Sequence, residues 1–134
     1  MLDAYVIVPS LPAADLDRAA GFYTEKLGIS PISKNPFAVE FRSGSVRFGV
    51  YKTDAAGTAG HTLAAWEVDD IEDAVEQLRA RGVVFEEYDY PELKTVDGIA
   101  DMGSQRGAWF KDSEGNLLAL AQAVPASSRV GGAR

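Results

Sequence analysis

The sequence predicts an α+β fold of two βαβββ-like halves that follow one another within one compact domain. Three observations carry this. A strand-like apolar run leading into a capped amphipathic helix occurs twice, and the two capping aspartates, Asp15 and Asp70, stand 55 positions apart. At that same offset Leu16 falls on Ile71 and Ala19 on Ala74. Each helix is followed by an alternating hairpin, and the hairpin turn glycines, Gly44 and Gly115, are 71 positions apart. A chain of 134 residues, 46% apolar, suffices for one core and is short for two ordinary domains.

The elements follow in order. Tyr5–Leu11 is β-branched and apolar and is bounded by Pro12, which reads as a buried strand. "AADLDRAAGFYTEKLG" reads as a helix with Asp15 as N-cap and Gly28 as its stop; Leu16, Ala19, Phe22, Tyr23 and Leu27 recur at helical spacing. Phe37–Arg42 and Val46–Tyr51 alternate across "SGS" as a hairpin. Residues 53–60 form a linker of mostly small residues, which closes a first module spanning 4–52. The second module, 61–122, opens with a strand at Thr62–Val68 and a helix in "DDIEDAVEQLRARG", capped by Asp69 or Asp70 and stopped by Gly82. Arg106–Lys111 and Asn116–Gln122 make its hairpin across "DSEG". The extra length of this half lies in "EYDYPELKTVDGIADMGSQ", expected as a long loop, and residues 123–134 are expected as a flexible tail.

Composition narrows the function classes. The formal charge of −7 with scattered basic residues argues against nucleic acid or an anionic membrane as partner. No apolar run approaches the roughly 18–20 residues of a membrane span, and no signal-peptide pattern opens the chain. With no cysteine, disulfides, thiolate nucleophiles and sulfur-ligated metals are excluded, and the expected setting is the cytoplasm. There is no Gly-x-Ser-x-Gly, no phosphate-cradling glycine loop, and no supported Ser–His pair.

The segments "DLDRAAGFYTEKLG", "VDDIEDAVEQLRARG" and "WFKDSEGNLLAL" together resemble the vicinal oxygen chelate superfamily. This group includes glyoxalase I, extradiol dioxygenases, and fosfomycin- and bleomycin-resistance proteins. The last segment is similar to a common aromatic-x-Asp-Pro-Asp-Gly-Asn stretch, with Ser113 for the proline and Glu114 for the second aspartate. The resemblance implies two modules whose sheets curve into a cup around a shared cavity, helices outside, often completed by a second subunit. Metal-dependent relatives hold a divalent ion on four side chains. Carried over by spacing, those positions fall on Val8, Phe48, Leu63 and Ala119, all apolar and none able to ligate a cation. The chain is therefore read as a member lacking the usual metal ligands, with no cofactor expected.

His61, the single histidine, lies two residues before Leu63, so alternation turns it toward the cup. It reads either as a ligand partner or general base, or as a hydrated rim residue. Alternation also gives an apolar inner wall: Val6, Val8 and Ser10; Phe37, Val39 and Phe41 opposite Val46, Phe48 and Val50; then His61, Leu63, Ala65, Leu117, Ala119 and Ala121. The partner of the last strand turns inward either Ala108 and Phe110 or Trp109 and Lys111. Trp66, of opposite parity, is expected under the helix. The long loop, with Tyr88, Tyr90, Lys94 and Met102, reads as a lid or as a dimer contact. The wall reads either as filled core or as a pocket. The expected function is metal-free binding of a small, largely apolar or aromatic ligand by a homodimer, at Ser10, Phe37, Val39, Phe48, His61, Leu63, Tyr88, Trp109 and Ala119. An enzyme of the same superfamily, using His61 or an unrecognised metal site, is the alternative.

Overall fold

The computed structural model describes residues 1–125, in two compact units. The first comprises Met1–Ala59 together with Asp112–Asn116. Its sheet runs in the order β1 (Ser10–Ala13), β4 (Val46–Lys52), β3 (Ala38–Ser43), β2 (Pro31–Lys34), with β1 parallel to β4 and the other pairs antiparallel. Helix α1 (Leu16–Gly21) starts where expected, because the Asp15 carboxylate accepts from the Arg18 backbone N–H. It widens to π spacing over Phe22–Lys26, where the Leu27 N–H bonds the Phe22 carbonyl five residues back. Gly28 then takes φ +71° and ends it.

The core of this unit is aromatic. Tyr23, fully buried, sits 5.5 Å from the Phe41 ring and 5.9 Å from the Phe48 ring, and those two stack at 5.4 Å. A turn at Asp112–Asn116 completes it. Glu114 accepts from the Ala14 and Asp15 backbone N–H groups, both at 2.9 Å, and from Arg18 Nε at 2.8 Å and Nη2 at 3.0 Å. The Tyr23 hydroxyl donates to Asp112 at 2.7 Å, and Asn116 Nδ2 donates to the Pro12 carbonyl at 2.8 Å. No buried side-chain nitrogen or oxygen among the described residues lacks a partner.

Two expectations fail here. The first strand is Ser10–Ala13 rather than Tyr5–Leu11. Pro12, expected to stop it, lies inside it opposite Tyr51, since an edge strand tolerates a residue without an N–H. Tyr5, Val6 and Ile7, expected buried, are exposed. The inner wall of the first module is also inverted. Val39, Phe41, Phe48 and Val50 are buried on the face that carries Tyr23, because α1 needs an apolar sheet surface beneath it. The opposite face carries Ser10, Glu40, Arg42, Arg47 and Gly49, with Arg47 paired to Glu40 at 3.4 Å, and is polar where an apolar wall was expected.

The second unit comprises Gly60–Lys111 and the chain from Leu117 on. Its sheet order is β5 (Thr62–Glu67), β9 (Leu117–Ala123), β8 (Gln105–Lys111), β7 (Ile99–Asp101), β6 (Thr95–Val96), with β5 parallel to β9. Helix α2 (Ile71–Ala80) is capped by Asp70, which accepts from the Asp73 N–H, and by Gln122 Oε1, which accepts from the Ile71 N–H at 2.8 Å. Ile71 and Val75 of the helix, with Phe85, Ala108, Phe110, Leu118 and Leu120, form its core. Trp66 stacks on Phe110 at 6.3 Å and so packs on the helix side, as its parity implied.

Part of the expected long loop is sheet. β6 and β7 are joined by Asp97 (φ 53°) and Gly98 (φ +81°), both left-handed, as a two-residue Asp-Gly hairpin requires. Of the expected tail, Ala123 ends β9 and Val124 donates to the Ser104 carbonyl; from 126 on it lies outside the described residues.

Candidate functional site

Strand registers in the second unit decide which side chains meet. Trp109 pairs with Ala119, and Ala119 with Ala65, so these share the sheet face opposite α2. Gly107 and Ala121 form the next row. Of the two registers left open by the sequence, the chain uses the one that turns Trp109 and Lys111 to this face. Ala108 and Phe110 take the helix side.

Trp109 lies along the sheet because Gly107 has no side chain: a Cβ there would stand 2.9 Å from Trp109 Cη2 and 2.8 Å from Met102 Cε. Tyr88 meets the indole edge-on at 5.6 Å, and Tyr90 stacks on Tyr88 at 6.1 Å. The backbone fixes this approach. The Glu86 N–H donates to the Trp109 carbonyl at 2.8 Å, and the Tyr88 N–H to Thr95 Oγ1 at 2.8 Å. Burial, with Glu86 and Tyr90 nearby, raises the Tyr88 phenol above its ordinary value, so it stays a neutral hydrogen-bond donor. The result is an aromatic platform beside a wall of alanines. Alongside it opens a groove of about 420 Å³ lined by Glu87, Tyr88, Asp89, Lys94, Thr95 and Asp97.

The sequence-derived candidates divide accordingly. Tyr88, Trp109 and Ala119 belong to this platform, and Leu63 lies half-buried on the neighbouring strand β5. Val39 and Phe48 do not belong to an open wall: both are buried under α1. Phe37 is 76% exposed before β3, and Ser10 is exposed opposite Gly49. His61 precedes β5 and is exposed; its Nδ1–H donates to the Thr62 carbonyl at 3.0 Å. A bulge between Thr62 and Ala64 interrupts the alternation used to orient His61 from Leu63. The residues that sequence reasoning missed are Gly107, which lets the indole lie flat, and Thr95, which ties Tyr88 down. A glycine amid an alternating strand was the available signal for the first.

The positions implied for a metal do not fit one. Val8 precedes β1 and Phe48 is buried in core, while Leu63 and Ala119 offer no donor atom. Among the described residues no group of three or more His, Cys, Asp or Glu side chains is placed to hold an ion. No helix among them is long and apolar enough to cross a membrane.

Comparison with known proteins agrees with this architecture. The family model described as Glyoxalase/Bleomycin resistance protein/Dioxygenase superfamily matches residues 4–120. A glyoxalase/bleomycin resistance protein/dioxygenase from Alicyclobacillus acidocaldarius superposes with TM-score 0.68 at 17% identity, covering 92% of this chain and 95% of that one. A lactoylglutathione lyase from Agrobacterium tumefaciens gives TM-score 0.65 at 18% identity over 89% and 93% of the two chains. A fosfomycin resistance protein from Listeria monocytogenes gives 0.65 at 18% over 92% and 97%. No curated protein matches the sequence. The chain belongs to the Glyoxalase/Bleomycin resistance protein/Dioxygenase superfamily.

Proposed function

We propose, for a chain of that superfamily, a metal-free binding function: a homodimer in the cytoplasm that holds a small, largely apolar or aromatic molecule against Trp109. One observation carries this reading. Trp109 and Met102 converge over Gly107, with Tyr88 edge-on against the indole, beside Ala65, Ala119 and Ala121, so a planar ligand meets π faces and small side chains. Orientation would come from few groups, the neutral Tyr88 hydroxyl first among them. Aromatic stacking of this kind contributes about 0.5–1.5 kcal/mol per pair beyond area burial.

The test is a thermal-shift screen of aromatic metabolites and antibiotics, followed by fluorescence titration. A ligand at about 100 times its Kd stabilises the folded state by about 2.7 kcal/mol. Trp109→Ala is expected to abolish that shift while the protein still folds; hits that bind the variant equally well overturn the site. Calorimetric titration with Mn(II), Zn(II) and Ni(II) is expected to show no stoichiometric tight binding, and such binding overturns the metal-free reading. The enzymatic alternative is favoured by His61 alone, whose exposed ring has Nδ1–H engaged on Thr62, leaving the Nε2 side for a proton. Loss of turnover in His61→Ala, on a substrate the screen supplies, would establish it.

A further inference from the structure

We propose that the sheet face of the first unit turned away from α1 is an oxyanion-binding site. There Arg42 and Arg47 hold a carboxylate or phosphate group beside the Ser10 hydroxyl, over Gly49. The inference is independent of ligand binding at Trp109, since every residue it uses lies on the first unit's own sheet.

Strand register brings these groups together. Arg42 of β3 stands directly opposite Arg47 of β4. In the next row Glu40 stands opposite Gly49, which Ser10 of β1 flanks on its other side. All five share one face, because the residues alternating with them, Phe41, Phe48 and Val50, are buried under α1. Directly opposed residues have Cβ atoms about 4.5–5.5 Å apart, so two guanidiniums on flexible stems can close on one anion.

The charges on this face do not balance. Like charges directly opposite each other destabilise a strand pair, and a carboxylate beside each would relieve them. Here one carboxylate serves two cations. Glu40 accepts from Arg47 Nη1 at 3.4 Å, which leaves Arg47 Nε and Nη2 for a ligand. Arg42 has no ion-pair or hydrogen-bond partner from a side chain among the described residues. The face thus carries an excess of positive charge, two arginines against one glutamate, in a chain whose formal charge is −7.

Gly49 supplies the room. Around the place where a Cβ on Gly49 would stand, Ser10 Oγ at 3.7 Å is the one atom within 4 Å. That hydroxyl has no hydrogen-bond partner of its own among the described residues and can donate into the gap. Tyr51, 44% exposed, follows Gly49 by two positions on the same face and offers a surface to whatever carries the anion.

The residue types name the ligand chemistry. A guanidinium is a planar fork that matches two oxygens of a carboxylate or a phosphate, and it stays charged throughout the physiological range. Two such forks and a hydroxyl favour an oxyanion and disfavour an amine.

The test is an NMR titration of the full chain with inorganic phosphate, phenyl phosphate and benzoate, each against sodium chloride at matched ionic strength. Arginine Nε–H and backbone amide resonances report the site. Saturating shifts centred on Ser10, Arg42, Arg47 and Gly49 are expected. Affinity should fall at least tenfold in Arg42→Gln, with an unchanged far-ultraviolet spectrum because the replaced side chain is exposed. Tighter binding of phenyl phosphate or benzoate than of phosphate assigns the site to the acid group of an organic molecule; tighter binding of phosphate assigns it to the free ion. Shifts no larger than those in sodium chloride, saturation centred on other residues, or binding that Arg42→Gln leaves intact each overturn the site. None of these results bears on the platform at Trp109.

Discussion

Substituting Glu114→Gln removes the charge that ties the 112–116 turn to the start of α1, and the structure gives the size of the effect. The side chain is buried and accepts five hydrogen bonds, from the Ala14 and Asp15 backbone, twice from Arg18, and from Ser113 Oγ at 2.8 Å. The Arg18 guanidinium above all, then the Asp15 N–H and Ser113, outweigh burial and lower the carboxyl to about 2. Set against an ordinary value of 4.5, that depression corresponds to about 3 kcal/mol of stability at neutral pH. The sign follows from the direction. A carboxylate lowered in the folded state stabilises fully above its unfolded value and loses that contribution as pH falls from about 4.5 toward about 2. Urea unfolding of wild type and Glu114→Gln should therefore differ by about 3 kcal/mol at pH 7 and by less than about 1 kcal/mol near pH 2.5. Two curves that stay parallel from neutral to acid pH would refute the reasoning, since the gap would then owe nothing to the charge.

Two further effects are checked in the same way. Tyr23→Phe deletes the buried hydroxyl that donates to Asp112 and should cost about 1–2 kcal/mol, read as a lower urea midpoint at unchanged slope. Gly98→Ala places a Cβ 2.8 Å from Arg79 Nη2 and 3.1 Å from Phe85 Cβ at φ +81°. It should destabilise by at least about 1 kcal/mol and speed amide exchange in β6 and β7, which native-state hydrogen exchange measures.

The parts legible in the sequence were those with local causes. Asp15 and Asp70 cap their helices through the bonds their side chains were expected to make, and Gly28 and Gly82 end them with positive φ. Face assignment has no local cause in a strand, because the same alternation serves either side. In the second half the parity of Trp66, opposite to that of Leu63, set it on the helix side, where it stacks on Phe110. In the first half Val39, Phe41, Phe48 and Val50 were assigned to a cup although α1 required them. Tyr5–Leu11 departs from expectation for a related reason: an apolar β-branched run announces a strand, yet only Ser10 and Leu11 of it find a partner in β4. The Asp97–Gly98 turn is legible only as a dipeptide, because the loop-forming residues around it mask the short strands on either side. His61 was carried one step too far, across a bulge that no spacing reveals.

The apparent duplication does not make the N-terminal half a portable piece. A fragment cut after Ala59 would lack Asp112, Glu114 and Asn116, which lie more than fifty positions downstream yet pack with Tyr23, Arg18 and Pro12. Such a truncation strands a buried phenol, the Ala14 and Asp15 amides just ahead of α1 and the Pro12 carbonyl together. Protein engineers wishing to recombine halves among relatives would have to carry the distant turn along with the segment it completes.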